Sequence, residues 1–391
     1  MRHLLTAIVT LATTSLLIAE DLTTLKGKKI TGDLVAADDK VVTIRAGDGN
    51  VVTPVPEIFS VDFPAKSEMK LPDKYISVEL VDGTMFNCHG FKLSGKSVEL
   101  SIVQGLRITV PMSAVAYILT DAQDPKIQRE WQRVLSDRGR MDRYFVRRDD
   151  RLDGLEGTFG EADAKGEVIP FTTASGAKRN IPLAQLSALL FNNRLEGNIP
   201  KSVCRVIDAY RNSIVAQKVQ FTAGKLTVLT VGGITVEYPS LQALSRLDYS
   251  KDKIVYLSDM KPLREERIAD EPVEVVARDK TLQNQPIQLE GINYSKGLVM
   301  HSHVELTFDL GGDYKEFQAM IGVDPTLPEA SPAKLIIEGD GRELFAVDVK
   351  NKDRPRSLNL DVKKVRQLKI RVTADFLFGR EVTLADAKVS K

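Results

Sequence analysis

The chain is poor in the residues that carry redox and metal chemistry. Its 391 residues include two cysteines, four histidines and one tryptophan. Cys88 and Cys204 are too few for a disulfide framework, although export would permit one bond between them. Cys88-His89 is followed by no ligand cluster, which argues against structural zinc. Charge is balanced as well, with 54 Lys+Arg against 53 Asp+Glu. A chain without a net field does not attract nucleic acid or an anionic membrane surface, so neither is expected as a partner. Catalytic signatures are missing too. The chain has no G-x-S-x-G elbow, HExxH, P-loop or dinucleotide fingerprint. No segment suggests the large cleft across which glycosidases place two carboxylates. The expectation is a protein that is not an enzyme.

One apolar run is present, at the start. Met1 to Ala19 reads MRHLLTAIVTLATTSLLIA. Arg2 and His3 form a basic head, Leu4 to Ile18 is short for a membrane span, and Ala19 is small enough for a cleavage site. Residues 1–19 are expected to be a signal peptide. No later run approaches the ~18 apolar residues that cross a bilayer, so the mature chain is expected to have no membrane span. It is expected to be secreted, periplasmic or held in the cell envelope.

From Leu22 to Tyr249 a weak pattern recurs four times. Each unit has short strands, a strand ending in an apolar residue and proline, and a closing apolar strand. The apolar-proline markers are Val55-Pro56, Val110-Pro111, Ile181-Pro182 and Tyr238-Pro239. The closing strands carry Val61-Asp62-Phe63, Tyr117-Ile118-Leu119, Leu189-Leu190-Phe191 and Leu247-Asp248-Tyr249. Proline suits a strand end because it donates nothing to a ladder. In the second unit Val78 to Leu80 runs into Asp82-Gly83, a tight-turn signal. Units one and three are read the same way, opening on Ile30-Thr31-Gly32 and Leu152-Asp153-Gly154. Such small bent sheets have little core alone and are expected to pack on each other as barrel-like repeats. The expected division is repeats one and two over 20–121, a connecting helix over 122–140, and repeats three and four over 141–250. Asp124 is a helix cap, and Pro125 suits the first turn. Ile127, Trp131, Val134 and Leu135 make one apolar stripe. On that stripe Trp131 is read as packed between repeat pairs rather than as a sugar platform.

The segment from Ser250 to Gln283 is charged, with one expected strand at Ile254 to Leu257. Beyond it the strands alternate cleanly: Val304, Leu306 and Phe308 face one way, Glu305, Thr307 and Asp309 the other. Gly339-Asp340-Gly341 marks a hairpin. Many short antiparallel strands with polar turns indicate a β-sandwich over residues 254–391.

Within it, Gly291 to Asp324 reads GINYSKGLVMHSHVELTFDLGGDYKEFQAMIGVD. The order Tyr294, Lys296-Gly297, His301, an alternating strand, Gly312 and Tyr314, then Gly322-Val323-Asp324 resembles the NPCBM family. This carbohydrate-binding module occurs at the ends of secreted glycosidases and in many secreted proteins of the planctomycete type. The resemblance implies a jelly-roll sandwich of the galactose-binding type with a carbohydrate ligand at its loop tips. The fold class is therefore all-β, a four-repeat array with one helix followed by a jelly-roll.

The residues carried toward a ligand are His301, Asp324, Phe378, Arg380 and Glu381. Sugars take planar polar groups for paired hydroxyls and an aromatic face for their C–H surface. Asp324 equally suits an oxygen-rich structural calcium site, the one cofactor considered. The alternative reading has His301 satisfying a backbone carbonyl and Asp324 forming a turn. The family usually ends in a loop with Asp and His, then Trp-Ala-Asp-Ala. Here Leu384 stands where Trp is usual and Glu381 near where His is usual, which puts the ligand in question. Two functions follow: a secreted, non-catalytic carbohydrate-binding protein, or an envelope scaffold whose repeats hold protein partners and whose sandwich has lost its sugar.

Overall fold

The structure is a computed structural model. It describes residues 19–64, 69–267, 275–324, 332–351, 353–374 and 381–391. The expected signal peptide, but for Ala19, lies outside the described residues. Two compact units divide the chain, 1–250 and 251–391. It is all-β with one α-helix among the described residues, and no helix there is long and apolar enough to cross a membrane.

In the first unit one strand order occurs four times. It begins with β1 (Glu20–Thr24), β2 (Lys29–Ala37), β3 (Val41–Ala46), β4 (Gly49–Pro54) and β5 (Ile58–Asp62). Next come β6 (Ile76–Leu80), β7 (Met85–Ser94), β8 (Ser97–Ile102), β9 (Arg107–Pro111) and β10 (Val115–Leu119). The third group is β11 (Asp142–Arg148), β12 (Arg151–Phe159), β13 (Val168–Thr173), β14 (Lys178–Pro182) and β15 (Ala188–Leu190). The fourth is β16 (Cys204–Asp208), β17 (Ser213–Thr222), β18 (Lys225–Thr230), β19 (Thr235–Tyr238) and β20 (Leu244–Asp248). In each group the first strand pairs with both the fifth and the second, and the third and fourth follow outward. Register shifts bend the long second strands β2, β7 and β17. An extra residue on one side of a ladder kinks the strand and curls the sheet around its own core.

A 3-10 turn joins the fourth and fifth strands every time: Val55–Glu57, Met112–Ala114, Leu183–Gln185 and Leu241–Ala243. Pro54, Pro111 and Pro182 cap three of these turns in extended conformation. A fixed φ near −65° and no N–H to satisfy suit proline to that position. In group one the capping proline is thus Pro54, and Pro56 lies inside the turn. In group four Pro239 follows β19 and Ser240 takes the cap.

The strands differ from the sequence reading in two groups. Groups one and three open a strand earlier, on β1 and β11, whose charged residues mask their alternation. Asp82-Gly83 is a turn, with Gly83 at φ 82. Asp153-Gly154 instead lies inside β12, where Gly154 sits opposite Phe145 and leaves space for its ring.

The groups join through their fifth strands, one with four (Val61↔Leu247) and two with three (Ile118↔Leu189). Along the second seam runs α1 (Pro125–Ser136), its N-cap Asp124 accepting from the Lys126 N–H at 2.9 Å. Trp131 is buried there with Tyr117, Leu119, Phe145 and Leu190. It meets the rings of Tyr117 and Phe145 edge-on, at 5.2 and 5.5 Å. The helix covers a seam between groups two and three, and its indole faces core rather than solvent. Cys88 and Cys204 are both buried free thiols, and burial pushes Cys88 up to about 12.

The second unit holds β21 (Ile254–Tyr256), β22 (Arg264–Arg267), β23 (Val276–Arg278), β24 (Ile287–Leu289), β25 (Ile292–Tyr294), β26 (Gly297–His301) and β27 (Val304–Asp309). It continues with β28 (Glu316–Gly322), β29 (Ala333–Gly339), β30 (Arg342–Val349), β31 (Arg356–Asp361), β32 (Gln367–Thr373) and β33 (Glu381–Ser390). One sheet has the order β23-β26-β33-β28-β31, with β21 also beside β33; the other runs β22-β27-β32-β29-β30. Their inner faces interdigitate in one core that includes Met300, Phe308, Phe317, Ile337, Ile370 and Leu384. Full burial of each such side chain contributes about 1.5–3 kcal/mol. The charged lead-in to this sandwich carries β21, β22 and β23, against the single strand expected.

Candidate functional site

The family-like residues fall into two sets. Lys296-Gly297 is architectural. The Lys296 ammonium lies 2.5 Å from Asp259 and 2.9 Å from Asp279, and Asp279 also accepts the Gly297 N–H at 3.1 Å. A Cβ at Gly297 would stand 2.9 Å from the Leu384 carbonyl oxygen, so the position takes only glycine. At Gly322 a Cβ would meet a Leu289 side-chain methyl at 2.9 Å, so a larger residue there would have to shift that leucine. Leu289 belongs to the β24–β25 hairpin, which with Ile287 covers the outer face of the first sheet over Val299 and Ala385.

The second set lies on that same outer face, at the strand ends. His301 is the direct cross-strand partner of Glu381. The β28–β33 ladder ends at Gly322↔Thr383, and its register continued by two residues sets Asp324 beside Glu381. Side chains two residues apart along a strand share a face. His301, Glu381 and Asp324 therefore form one row across three adjacent strands, with neighbouring Cβ atoms about 5 Å apart.

Each member has a distinct environment. The His301 Nδ1 lies 3.1 Å from the Ser302 carbonyl oxygen. The Ser302 hydroxyl also lies 3.4 Å from Nδ1; in the tautomer that donates from Nδ1 to the carbonyl oxygen, Nε2 is the acceptor. The ring thus makes a backbone contact while keeping one nitrogen for another partner. Glu381 is 5% exposed. Burial raises its carboxyl above the usual range, the Asp324 charge adds to this, and a hydrogen bond from the Gln283 side chain opposes it. Its Oε1 is buried with no hydrogen-bond partner among the described residues. An unpaired buried oxygen costs about 1–3 kcal/mol, which a ligand hydroxyl would relieve.

Gln283 was not legible as part of this row. It sits on a turn closed by Thr281, whose hydroxyl accepts the Gln285 N–H at 3.1 Å. Only the fold carries that turn to Glu381; a Thr-x-x-x-Gln turn signal is too common to mark it. Phe378 and Arg380 lie outside the described residues. Leu384, at the family's Trp position, points between the sheets and is fully buried. A side chain there serves the core rather than a sugar surface. Among the described residues no three His, Cys, Asp or Glu side chains converge to hold a metal.

Residues 253–388 match the sequence model of the NPCBM/NEW2 domain family. The chain is similar to the CBM51 from Clostridium perfringens GH95 solved with methyl-galactose: 21% identity, TM-score 0.32, 35% of this chain and 99% of that one. It is also similar to CBM51-2 with GlcNAc and INT domains from Clostridium perfringens ZmpB: 20% identity, TM-score 0.32, 48% of this chain but only 43% of that one. A third likeness is to an exo-beta-1,3-galactanase from Phanerochaete chrysosporium: 8% identity, TM-score 0.21, covering 90% of this chain and 77% of that one. No curated protein matches the chain.

Proposed function

We propose that the protein is an exported, non-catalytic carbohydrate-binding protein whose sandwich takes a glycan at the row His301–Glu381–Asp324. The observation that carries this reading is the buried, unpaired Oε1 of Glu381 at the centre of that row, within a domain of the NPCBM/NEW2 family. A carboxylate oxygen short of donors suits sugar hydroxyls, which donate as well as accept. His301 Nε2 accepts from a second hydroxyl, and Asp324 takes a third. The neighbouring modules solved with methyl-galactose and GlcNAc make those sugars the first to try. Phe378 and Arg380 are proposed to complete the site from the 375–380 loop. The reading needs no cofactor.

The test is a glycan array of the full chain and of residues 251–391, with and without calcium. Retention of a glycan by both, and its loss in Glu381→Ala, supports the reading. Failure of both chains on every glycan, wall polysaccharides included, would refute it.

A further inference from the structure

Groups two and four of the first unit grip each other by reciprocated bonds. The Asn87 N–H donates to Asn212 Oδ1 at 2.7 Å, and the Val215 N–H donates to Thr84 Oγ1 at 3.1 Å. Within each group a matching bond holds the gripping strand: Val103 N–H binds the Asn87 carbonyl in group two, and Val231 N–H binds the Val215 carbonyl in group four. A further bond runs from the Gly232 N–H to Asp82 Oδ2 at 2.8 Å. Positions 84, 87 and 103 of one group thus answer to 212, 215 and 231 of the other. The fourth strands of these two groups, β9 and β19, line one cleft.

Both strands are unpaired on one side. Among the described residues β9 pairs only with β8, and β19 only with β18. The Ile102 N–H donates to the Leu106 carbonyl and the Thr230 N–H to that of Ile234. Antiparallel ladders alternate, so Ile108 and Val236 also bond inward. The N–H and C=O groups of Arg107, Thr109, Thr235 and Glu237 consequently point away from their own sheets. A cleft of about 770 Å³ has Arg107 to Thr109 and Thr235 and Glu237 among its lining residues. A second recess, of about 490 Å³, has Pro111, Arg194, Glu196 and Gly232 among its lining residues.

We infer that this cleft binds a linear, extended peptide segment of a partner protein, which adds as a strand between β9 and β19. Filling both edges at once needs a strand free on its two sides. A strand of a folded sheet, or an edge of a second copy, has at most one free side. Charge selects an acidic segment. In the cleft Glu237 is already paired with Lys225 at 2.7 Å, whereas Arg107 makes no ion pair among the described residues; in the second recess Arg194 is offset by Glu196.

The test is fluorescence anisotropy of the full chain with a set of labelled linear heptapeptides. Each has a glutamate at both ends, and together they carry every residue type at the central positions. Saturable binding by members of the set is expected below ~1 mM. Arg107→Glu, at an exposed position, is expected to weaken binding about tenfold, as loss of a charge pairing does. Backbone N-methylation of alternate peptide residues is expected to abolish it, because the added methyls remove donors from the ladder. Three outcomes would overturn the inference: no saturable binding by any member, equal binding by N-methylated peptides, or a dimer of the chain in sedimentation that excludes them.

Discussion

Each unit of the chain buries a carboxylate, and the two are treated in opposite ways. In the repeat array Asp208 is 2% exposed and fully served. Its Oδ1 accepts the N–H groups of Tyr210 and Asn212, and its Oδ2 accepts the Asn212 amide and the Tyr238 hydroxyl. In the sandwich Glu381 is nearly as buried, but one of its oxygens has no partner. Burial raises both carboxyls above their usual range. Asp208 gains four donors in return and pins a turn of group four. Glu381 gains one neutral donor and a like charge, and it is this shortfall on which the proposed glycan site rests. Depth of burial alone does not separate the two acids; the count of their donors does.

The strongest test of this contrast is structural. Trp131→Ala is expected to cost about 4 kcal/mol, seen in urea unfolding of the repeat array, while glycan affinity stays unchanged. A change in glycan affinity would break the division of labour between the two units.

Exchange of each acid for its amide sharpens the comparison. Asp208→Asn sets an NH₂ against donors, and the only escape is to flip Asn212, whose Oδ1 holds the Asn87 N–H. The expected loss is about 2 kcal/mol. Glu381→Gln removes a buried charge beside Asp324 and is expected to gain about 1 kcal/mol, or about 3 °C in the melting of residues 251–391. It is also expected to weaken glycan binding. Equal signs for the two exchanges in calorimetry would remove the contrast.

The pH dependence follows with a definite sign. Because the folded pKa of Glu381 lies above its unfolded value, the folded sandwich holds the extra proton between them. Its stability is then highest below the unfolded value, falls as pH rises through the folded one, and levels off above. Glu381→Gln should flatten that fall. Sugar hydroxyls favour the ionised acid, so glycan affinity should rise over the same window. The smallest effect expected is His301→Ala, about fivefold weaker glycan binding with little change in melting temperature. Unchanged affinity for a glycan that binds the wild type would leave His301 a structural residue held by the Ser302 carbonyl.

Much of the architecture was visible in local pattern. The alternation of Val304 to Asp309, the Gly339-Asp340-Gly341 hairpin and the Asp124-Pro125 helix start each express one residue's conformational preference or one period. β11 and β22 were not visible, because Asp-Arg-Tyr-Phe-Val-Arg-Arg and Arg-Glu-Glu-Arg are strands only by virtue of the neighbours they pair with. In the site, His301, Asp324 and Glu381 could be named singly from the family pattern. Gln283 could not, since nothing local links it to a residue about a hundred positions away.

The sequence by itself determined that the chain is all-β, that a helix breaks it near residue 125, and that an NPCBM-type domain closes it. Those properties reside in side-chain periodicity, capping and turn chemistry, which act over a few residues. Only the tertiary structure decided that groups pair one with four and two with three, and that His301, Glu381 and Asp324 share one row. It alone left β9 and β19 as unpaired edges across a cleft. Strand register and edge exposure are set by which backbone groups find partners, and those partners lie far apart along the chain.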